Sequence, residues 1–504
     1  MDYIVDAKEM EAIDAYTIDT IGIPQAVLME RAALSVVTAI EERFGKDARI
    51  LVVTGSGNNG GDGVAAARIL TQRGYDAELF VIPSSHGGSA AFEKQLAIAK
   101  ACGVKMAATC DPAGFDVVCD AIFGTGLSRE VTGVYADVIK KISTAKGFRI
   151  AVDIPSGIDA GTGDVLGTAF CADLTVTFGY RKKGLLLSEG EKHAGEVSVF
   201  DIGFPGQAAE HAAPRFFTYR ADEVERMLPV RRRNSNKGSY GKAAIIAGSP
   251  DMAGAALLSG EACYRMGTGL VMICTSAVNR EIVQTKLPEA VLCSYDHEDP
   301  AGISGAIDRA LSFADVCVLG PGLSTKEFAE QIVRQVLESY EGKLVIDADA
   351  INILSKHRDW LSGAKAEIIL TPHIKEMSRL TGLSVDEIKK DMFRAAGDCA
   401  NTYKCVTVLK DYRTVVSDGN SPSYMNLTGN DGMATGGSGD VLTGVIAGLL
   451  AGGLSTKEAA ELGVYLHGEA GDAAAGSTGR YGMLAGDMIK NLRRISGQTN
   501  ENLS

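Results

Sequence analysis

The chain has 504 residues, a formal net charge of −13 at pH 7 and a hydrophobic content of 46%. A chain of this length is too long for one ordinary hydrophobic core, so two or three domains are expected. The excess of acidic residues argues against a nucleic-acid or anionic-membrane partner. The start of the chain lacks the basic and apolar segments of a secretory signal, and the longest apolar run, about 441–454, is shorter than the roughly 20 residues of a membrane span. We therefore expect a cytoplasmic protein without a membrane partner.

The first half of the chain alternates between strand-like and helix-like segments, which is typical of a parallel sheet wrapped by helices. Predicted strands occupy 49–53, 78–82, 117–122, 149–154 and 174–178, with predicted helices at 64–73 and 92–102 between them. The alternation breaks between residues 205 and 235, where no period is sustained and the basic run Arg231–Arg233 is interpreted as a solvated loop.

A second alternation follows this break. Its predicted strands occupy 242–247, 316–319, 344–347, 368–370 and 405–409. No strong internal repeat relates the two halves. The ten cysteines are scattered without a Cys-x-x-Cys pair, which excludes a structural zinc site on spacing and predicts reduced thiols. The sequence therefore predicts two unlike α/β domains, at residues 1–216 and 222–500.

A glycine-rich segment follows the first predicted strand and precedes a helix expected to begin near Val64. Its Gly55-x-Gly57-x-x-Gly60 spacing matches the dinucleotide fingerprint. That fingerprint needs an acidic residue at the end of the second strand, and this strand ends in Ile82-Pro83. The additional Asn58, Asn59 and Asp62 offer oxygens suited to a ribose or a hard cation, so a different site is favoured.

Two further loops follow strands on the same predicted edge of the sheet, where open α/β folds bind their ligands. One is Asp-Ala-Ile-Phe-Gly-Thr-Gly at 120–126, and the other is Asp-Ile-Pro-Ser-Gly-Ile-Asp at 153–159. Together with Asn-Asn-Gly-Gly-Asp-Gly at 58–63, these strings resemble the NAD(P)H-hydrate epimerase family over roughly residues 1–215. The resemblance implies a Rossmann-like domain that interconverts the R and S hydrates of reduced nicotinamide nucleotides.

The family pattern implies particular residues for this first site. A potassium ion would be held by Asn59, Asp120 and Ser156. The hydrated nucleotide would lie against Asn58, Asn59, Gly60, Gly61, Asp62, Gly124, Thr125, Gly126, Leu127, Ser128, Arg129, Glu130, Tyr135 and Asp153. Asp153, at the end of a strand with room for a raised pKa, is the expected acid/base at the hydrated carbon. The alternative for Asp153 is a structural cap of the Ser156-Gly157 turn.

The most informative motif of the second half is Thr-Gly-Gly-Ser-Gly-Asp at 435–440, followed by the apolar run Val441–Leu450. Small residues leave several backbone N–H groups free to face one point, and a buried helix behind them would direct its positive end there. Asp440 at the junction can accept a hydroxyl proton. An anion cradle beside a carboxylate base fits phosphoryl transfer to an alcohol. The alternative is a glycine-rich turn that only caps a core helix.

Further loops of the second half each follow a predicted strand and so share one edge of its sheet. They contain Gly-Pro-Gly-Leu at 320–323, Asp-Ala-Asp-Ala-Ile-Asn at 347–352, Thr-Pro-His-Ile-Lys-Glu-Met at 371–377 and Lys-Asp-Tyr-Arg-Thr at 410–414. With the 435–440 motif, this set resembles the ribokinase-like superfamily, and within it the nucleotide-dependent NAD(P)H-hydrate dehydratases, over roughly residues 222–498. In that family the hydroxyl of the S hydrate is phosphorylated, and phosphate then leaves.

The resemblance assigns roles in this second site. Asp440 would be the base, and the anion hole would comprise Gly437, Ser438 and Gly439. Ala255, Gly322 and His373 would contact the hydrate. The nucleotide would be held by Lys410, Asp411, Tyr412, Arg413, Thr414 and Gly439. Asp411 stands where the family usually has glycine, which narrows the loop and adds negative charge. The two-domain arrangement looks bacterial and favours ADP over ATP, with Mg²⁺.

Two domains on one chain predict a bifunctional repair enzyme, in which epimerisation supplies the S hydrate to the dehydratase. A second hypothesis is a ribokinase-like kinase of a small alcohol carrying an N-terminal nucleotide-binding module. A third makes the N-terminal half a non-catalytic module, since a fold alone does not imply catalysis. We expect small-molecule substrates and a homo-oligomer.

Overall fold

The computed structural model describes residues 1–84, 87–231 and 233–497, without the side chains of 493–497. It divides into two compact units. The N-terminal unit comprises Asp2–Phe216, and the C-terminal unit begins at Phe217. Each unit is an α/β structure around a largely parallel sheet, which confirms the fold class expected from the sequence. Residues 498–500 of the second predicted domain, and Arg232 of the basic run, lie outside the described residues.

The N-terminal unit contains nine strands and seven α-helices among its described residues. In chain order they are β1 (Asp2–Val5), α1 (Ala7–Ala15), α2 (Gln25–Glu41), β2 (Arg49–Thr54), α3 (Asn58–Gln72), β3 (Asp76–Val81), α4 (Ala90–Ala101), β4 (Lys105–Met106), β5 (Val117–Ala121), α5 (Gly133–Ser143), β6 (Phe148–Val152), β7 (Leu174–Phe178), β8 (Arg181–Lys182), α6 (Ser188–Ala194), β9 (Glu196–Phe200) and α7 (Gly206–Ala212).

Seven of these strands form one sheet in the order β4-β3-β2-β5-β6-β7-β9, and all pairs are parallel. One apolar cluster packs α2, α3 and α4 against the sheet, and another packs α5 against it. Helices on both faces explain why β5 and β7 are buried along their whole length. The chain runs outward in both directions from the β2/β5 pair, so the crevice for a ligand opens at the carboxyl ends of these two strands.

The C-terminal unit starts within β10 (Phe216–Thr218). Its further elements are α8 (Ala221–Met227), β11 (Lys242–Ile246), α9 (Ala253–Arg265), β12 (Leu270–Ser276), α10 (Arg280–Lys286), β13 (Val291–Tyr295), α11 (Pro300–Phe313), β14 (Val316–Leu319), α12 (Glu327–Ser339), β15 (Lys343–Ile346), α13 (Asp349–Leu354), α14 (Asp359–Ser362), β16 (Glu367–Leu370), α15 (Ile374–Thr381), α16 (Val385–Lys390), α17 (Met392–Tyr403), β17 (Val406–Leu409), β18 (Val415–Ser417), β19 (Ser423–Met425), α18 (Ser438–Ala451), α19 (Thr456–Thr478) and α20 (Ala485–Gly497).

In the sheet of this unit the strands run β13-β12-β11-β14-β15-β16-β17-β18-β19. The pairs from β13 to β17 are parallel, and β18 and β19 continue the sheet antiparallel. The switch in chain direction lies between β11 and β14. The loops after β11, β14, β15, β16 and β17 therefore end on one edge, beside the start of α18.

Helix α18 is buried along Val441–Leu450 and packs closely against α9. Its glycines make this approach possible, because a Cβ at Gly444 would lie 2.2 Å from the Ser259 carbonyl oxygen and a Cβ at Gly448 2.5 Å from the Met266 Cβ. The Ser259 hydroxyl donates to the Asp440 carbonyl oxygen at 3.0 Å. The first turn of α18 is thus held by the Ser259 side chain, and its later turns lie directly against α9 at Gly444 and Gly448.

The structure corrects parts of the sequence prediction. Helix α3 begins at Asn58 instead of near Val64, so the polar segment forms its first turn. The region at 205–235, expected to be irregular, contains α7, β10 and α8. Arg231 and Arg233 are exposed as expected of a solvated loop. Within the described residues, every helix is too short or too polar to cross a lipid bilayer.

Candidate active sites

The first candidate site begins with a buried network at the carboxyl ends of β5 and β6. Asp120, fully buried, accepts hydrogen bonds at Oδ1 from the Ser156 hydroxyl (2.7 Å) and at Oδ2 from the Ser156 N–H (2.8 Å). The Ser156 Oγ in turn accepts from the Phe123 N–H at 2.8 Å. Burial raises the pKa of Asp120 to about 6, and the hydrogen bonds from Ser156 and Ile122 oppose that rise.

Asn59 joins this network from the first turn of α3. Its Nδ2 donates to the Phe123 carbonyl oxygen at 2.9 Å, whereas its Oδ1 is buried without a hydrogen-bond partner. A buried oxygen without a donor is rare in a native fold, so the Asn59 Oδ1 is available to a cation. The three residues that the family resemblance assigns to potassium therefore lie together, and their oxygens fit a hard cation.

Asp153 lies directly after β6 in a left-handed backbone conformation, with φ of 69°. Its Oδ1 accepts from the Lys182 ammonium at 2.6 Å and from the Thr177 hydroxyl at 3.2 Å. The Lys182 ammonium also donates to the Thr177 Oγ1 (2.9 Å) and to the Phe178 carbonyl oxygen (2.8 Å). Asp153 thus forms an ion pair with a fully buried lysine, a partner that the sequence analysis did not include.

The structural alternative for Asp153 is wrong, because the Ser156 N–H is capped by Asp120 and not by Asp153. Two other carboxyls face the Asp153–Lys182 pair. Burial raises the pKa of Asp62, and the carboxylates of Asp153 and Asp14 raise it further, against an opposing effect of Lys182. The pKa of Asp14, in α1, is raised to about 6 by burial; Lys182 lowers it and Asp153 raises it. One buried cation therefore faces three carboxyls at this site.

The predicted substrate segments of this unit divide into two groups. Gly124 lies at the site, because a Cβ there would be 3.2 Å from the Asn59 Cβ and 3.6 Å from the Asp153 Oδ2. Gly60 and Gly61 are buried. A Cβ at Gly60 would lie 2.2 Å from the Gly55 carbonyl oxygen, and a Cβ at Gly61 would lie 2.7 Å from the Met29 Cε. Those two glycines allow α3 to pack closely.

The remaining predicted contacts lie further along the same loop. Asn58, Gly126, Ser128, Arg129 and Glu130 are exposed, whereas Thr125, Leu127 and Tyr135 are half-buried. The Tyr135 ring packs on Phe123 with 5.1 Å between centroids, which connects α5 to the Asp120 network.

The second candidate site is built on the first turn of α18. Gly437 is the N-cap with φ of 89°, and a Cβ there would lie 2.5 Å from the Leu258 Cδ1. Glycine is therefore required on grounds of both conformation and space. Within the described chain, the N–H groups of Gly439 and Asp440 have no backbone acceptor. Two free donors at a helix N-terminus form an anion cradle.

A charged cluster lies beside this cradle. The Lys410 ammonium donates to the Asp347 Oδ1 at 2.7 Å, and a Cβ at Gly439 would lie 3.5 Å from that ammonium. Burial lowers the pKa of Lys410, but Asp347, Glu376 and Asp440 raise it to a net value above the ordinary one. Burial raises the pKa of Asp440 to about 6; Asp347 adds to the rise, Lys410 opposes it and Asp349 adds to it.

The predicted hydrate contacts of this unit are partly brought together. A Cβ at Gly322 would lie 2.9 Å from the Ala255 Cβ, so these two residues are neighbours. His373 has structural partners at both ring nitrogens: Nδ1 accepts from the Glu376 N–H at 3.2 Å, and Nε2 lies 3.3 Å from the Glu376 Oε1. The half-exposed His373 ring therefore caps α15, and contact with a ligand remains a prediction.

The predicted nucleotide loop follows β17. Lys410 is turned towards the cradle, and Thr414 closes the loop through a bond from its hydroxyl to the Asp411 carbonyl oxygen at 3.1 Å. Asp411 and Tyr412 are exposed, and the Arg413 guanidinium lies 5.7 Å from the centre of the Tyr412 ring. Of the described residues predicted to hold the nucleotide, Lys410 is the one that the distances place next to Gly439.

Sequence reasoning missed four residues of these sites: Asp14, Lys182, Asp347 and His467. Lys182 stands in a two-residue strand outside every motif. Asp347 was seen as part of a loop, without a role. His467, on α19, lies 3.4 Å from the Ser438 Oγ, and burial lowers its pKa to about 4. Only the position of Asp347 directly after a strand could have suggested a site residue.

Comparison with known proteins connects both sites to one kind of enzyme. The family model described as YjeF-related protein N-terminus matches residues 25–184, and that described as NAD(P)H-hydrate dehydratase matches residues 243–494. A bifunctional NAD(P)H-hydrate repair enzyme of Moorella thermoacetica is 39% identical over 97% of this chain and 95% of its own. Its Escherichia coli counterpart is 33% identical over 95% of this chain and 90% of its own.

A solved structure supports the assignment of the C-terminal unit. The ADP/ATP-dependent NAD(P)H-hydrate dehydratase from Bacillus subtilis, co-crystallised with ATP and Mg²⁺, matches with a TM-score of 0.50 and 32% identity. The match covers 56% of this chain and 98% of that one. Fold, sites and comparisons thus define a two-domain α/β enzyme whose C-terminal half is ribokinase-like. The chain belongs to the family of bifunctional NAD(P)H-hydrate repair enzymes.

Proposed function

We propose that this chain restores hydrated NADH and NADPH in two steps. The N-terminal unit interconverts the R and S hydrates, and the C-terminal unit dehydrates the S hydrate at the expense of ADP. The observation that carries the proposal is the 39% identity with a bifunctional repair enzyme along 97% of the chain. A relative with one activity would match one unit alone.

At the first site, Asp153 is the acid/base at the hydrated ring carbon. Lys182 holds one carboxylate oxygen, and the other lies beside Gly124, where the hydrate is expected. The hydroxyl accepts a proton from the acid/base and leaves as water with the bonding electrons. A water then adds to the opposite face of the ring carbon and returns a proton to the acid/base. Asp62, whose raised pKa favours its protonated form, can donate a hydrogen bond to the hydroxyl. The exposed residues Ser128, Arg129 and Glu130 would contact the distal part of the nucleotide.

Potassium is the cation that we place in the Asn59, Asp120 and Ser156 network. The unpartnered Asn59 Oδ1 and the buried Asp120 carboxyl support this choice. The first has no donor, and the second accepts hydrogen bonds but has no cationic side chain beside it among the described contacts. The ion would offset the negative charge of Asp120 and hold the loops after β2, β5 and β6 together.

At the second site, Asp440 takes the proton of the hydrate hydroxyl while the hydroxyl oxygen bonds to the terminal phosphorus of the nucleotide. The bond from that phosphorus to its bridging oxygen breaks, so ADP leaves as AMP. Phosphate then departs from the ring carbon, a ring C–H proton is lost, and the double bond of the reduced nicotinamide re-forms. The family resemblance places the anion hole at Gly437, Ser438 and Gly439. Because the Ser438 N–H already donates to the Thr435 carbonyl oxygen at 3.4 Å, the transferred group would be stabilised mainly by the N–H groups of Gly439 and Asp440.

Magnesium is expected to arrive with the nucleotide. Among the described residues, no group of three or more His, Cys, Asp or Glu side chains is arranged to hold a metal. Phosphate oxygens would therefore supply much of its coordination, as is usual for Mg²⁺ at nucleotide sites. ADP is favoured over ATP because the two-domain arrangement resembles bacterial members.

A recovery assay on the purified full chain tests the proposal. An equilibrated mixture of R and S NADH hydrates is supplied with Mg²⁺, K⁺ and either ADP or ATP, and the absorbance of reduced nicotinamide is followed. Complete recovery of both epimers is expected, and the nucleotide that supports it is the phosphoryl donor. Recovery of the S form alone would contradict the epimerase. Failure of recovery with both nucleotides would favour the small-alcohol kinase. A homo-oligomer in the cytoplasm stays a prediction, checked by light scattering and fractionation.

A further inference from the structure

Asp347 connects two parts of the second site through its two carboxylate oxygens. It lies directly after β15 and is buried. Its Oδ1 lies 2.7 Å from the Lys410 ammonium, and its Oδ2 accepts from the Thr443 hydroxyl at 2.8 Å. The Thr443 Oγ1 is also 3.0 Å from the Gly439 carbonyl oxygen, in the first turn of α18. One carboxylate therefore joins the lysine after β17 to the helix that carries the anion cradle.

The geometry leaves little freedom at this junction. A Cβ at Gly439 would lie 3.5 Å from the Lys410 ammonium and 3.9 Å from the Asp347 Oδ2, so the helix backbone passes directly over the ion pair. Without Asp347, the long Lys410 side chain would have no fixed partner in that position. Its ammonium could then approach the nearby Asp440 carboxylate, whose proton affinity it already lowers.

The charged groups that act on Asp440 come from the loops after β15 and β17. Asp347 and Asp349 raise its pKa, and Lys410 lowers it. Glu376, at the start of α15, raises the pKa of Lys410. His467 of α19, which packs against α18, stays neutral because burial lowers its pKa to about 4. Among these charged groups, Asp347 has the largest effect on the pKa of Asp440.

We propose that Asp347 is a positioning residue of the dehydratase site, which fixes Lys410 and the first turn of α18 so that ammonium, anion cradle and Asp440 keep one arrangement. The inference rests on the proposed dehydratase function. It assigns Asp347 no contact with the hydrate or the nucleotide. Its effect on the reaction passes through Lys410, Thr443 and Asp440.

The test is the variant Asp347→Asn in the full chain. Loss of the fixed ammonium is expected to raise the KM for the nucleotide and to lower kcat, each by about tenfold. The acid limb of the dehydration profile should move to lower pH by about one unit, because a neighbouring negative charge has been removed. Lys410→Met should move the same limb to higher pH. An unchanged limb and an unchanged KM in Asp347→Asn would overturn the proposal.

Two further variants separate positioning from folding. Thr443→Val removes the contact to the Asp347 Oδ2 and leaves every charge in place, so kcat should fall without a shift of the acid limb, and Thr443→Ser should restore it. If Ser rescues no better than Val, the link through Thr443 is wrong. Asp349→Asn is the matched control on the same loop, because its Oδ2 accepts from the Ser324 N–H at 2.8 Å instead of from Lys410. A nucleotide KM raised equally by Asp349→Asn would also overturn the proposal.

Binding of Mg-ADP, measured by calorimetry on the same proteins, distinguishes this inference from the proposed function. Asp347→Asn should weaken binding about tenfold relative to wild type and Asp349→Asn. If the wild type binds Mg-ADP but regenerates no reduced nicotinamide, the proposed function fails, and the binding difference still decides the role of Asp347. Equal affinity in all three proteins would overturn it.

Discussion

Asp153 and Asp440 each lie at the edge of a parallel sheet where its loops converge, yet their electrostatic surroundings differ. The Asp153 carboxylate is bound directly by a lysine that is 1% exposed. Asp440 has no such partner among its described contacts, and the nearby Lys410 ammonium is bound to Asp347 instead. The first carboxylate is thus held by its own cation, whereas the cation of the second site is held away from the base.

The difference fits the chemistry proposed for each unit. Reversible loss and return of a hydroxyl requires a carboxylate whose position is fixed. Phosphoryl transfer requires a base that can accept a proton near neutral pH while a cation and free N–H groups remain available for phosphate. In enzymes generally, neighbouring groups give similar carboxyls different proton affinities, and this difference decides which carboxyl acts as acid and which as base.

The largest expected effect separates the two activities at Asp440. Asp440→Asn removes the base and should lower dehydration by roughly 10²–10⁴-fold, the usual contribution of a general base. Epimerisation should be unchanged, because Asp440 lies in the C-terminal unit. The measurement is recovery of reduced nicotinamide, together with chromatographic separation of R and S hydrates. Equal impairment of both activities in a folded protein would contradict the division of labour.

Asp153→Asn should produce the opposite pattern. Asparagine tolerates the left-handed backbone at this position, so the loss of epimerisation, again roughly 10²–10⁴-fold, would report the carboxylate. The variant also leaves Lys182 buried without its partner, which should cost about 3–5 kcal/mol of unfolding free energy. Calorimetry should show partial recovery of stability in Asp153→Asn/Lys182→Met. An epimerase that remains active in either variant would exclude Asp153 as the acid/base.

The pH dependence should distinguish the two sites further. Asp440 must be deprotonated to act, and its pKa is raised to about 6. The rate of dehydration should therefore be maximal above that pH. It should fall roughly tenfold for each pH unit below it. The measurement is the pH profile of kcat/KM, which reports the pKa values of the free enzyme, and epimerisation of the same samples is the control. Parallel loss of both activities would indicate a change of the whole chain instead of the titration of Asp440.

Potassium should stabilise only the N-terminal unit. At saturating concentration we expect about 1–3 kcal/mol, as for any ligand that binds the native state alone. Asn59→Leu should abolish this stabilisation by potassium, because it removes the buried Oδ1. Asn58→Leu, at the exposed neighbouring residue, is the control. The measurement is thermal unfolding in potassium against sodium chloride. Stabilisation that persists in Asn59→Leu would place the ion elsewhere.

The smallest expected effect concerns the loop after β17. Asp411→Gly removes an exposed negative charge and restores the residue usual in the family, so nucleotide affinity should rise about two- to fivefold at low salt. Added salt should reduce the gain. Titration with Mg-ADP at two ionic strengths measures it, and an unchanged affinity at low salt would show that Asp411 is remote from the phosphates.

Much of this fold could be predicted from local sequence pattern. β7 and β14 agree residue for residue with their predicted strands, because fully buried parallel strands form continuous apolar runs. The helical start at Asn58 was missed because Asn, Gly and Asp are weak helix formers. Tertiary packing overrides that preference. Only glycine at positions 60 and 61 leaves room for the neighbouring Gly55 carbonyl oxygen and Met29 side chain.

The site residues divide in the same way. Asn59, Asp120 and Ser156 were grouped by the family resemblance, and they stand in motifs at the carboxyl ends of parallel strands, which share one edge of the sheet. Lys182 could not be predicted, because its partner Asp153 is 29 residues away and the pairing depends on the path of the chain. The surroundings of a carboxyl depend on such distant partners, so the sequence indicated the place of Asp153 after a strand but not the lysine that binds it.

The close contact of α18 with α9 has a consequence for selectivity. A helix whose glycines touch the neighbouring backbone cannot slide or tilt without steric overlap. The anion cradle at its first turn therefore has the same dimensions before and after a phosphate arrives, and the phosphate loses no binding free energy to ordering it. Such a preorganised cradle discriminates by size: tetrahedral oxyanions close to phosphate should bind, and larger or planar anions should be rejected.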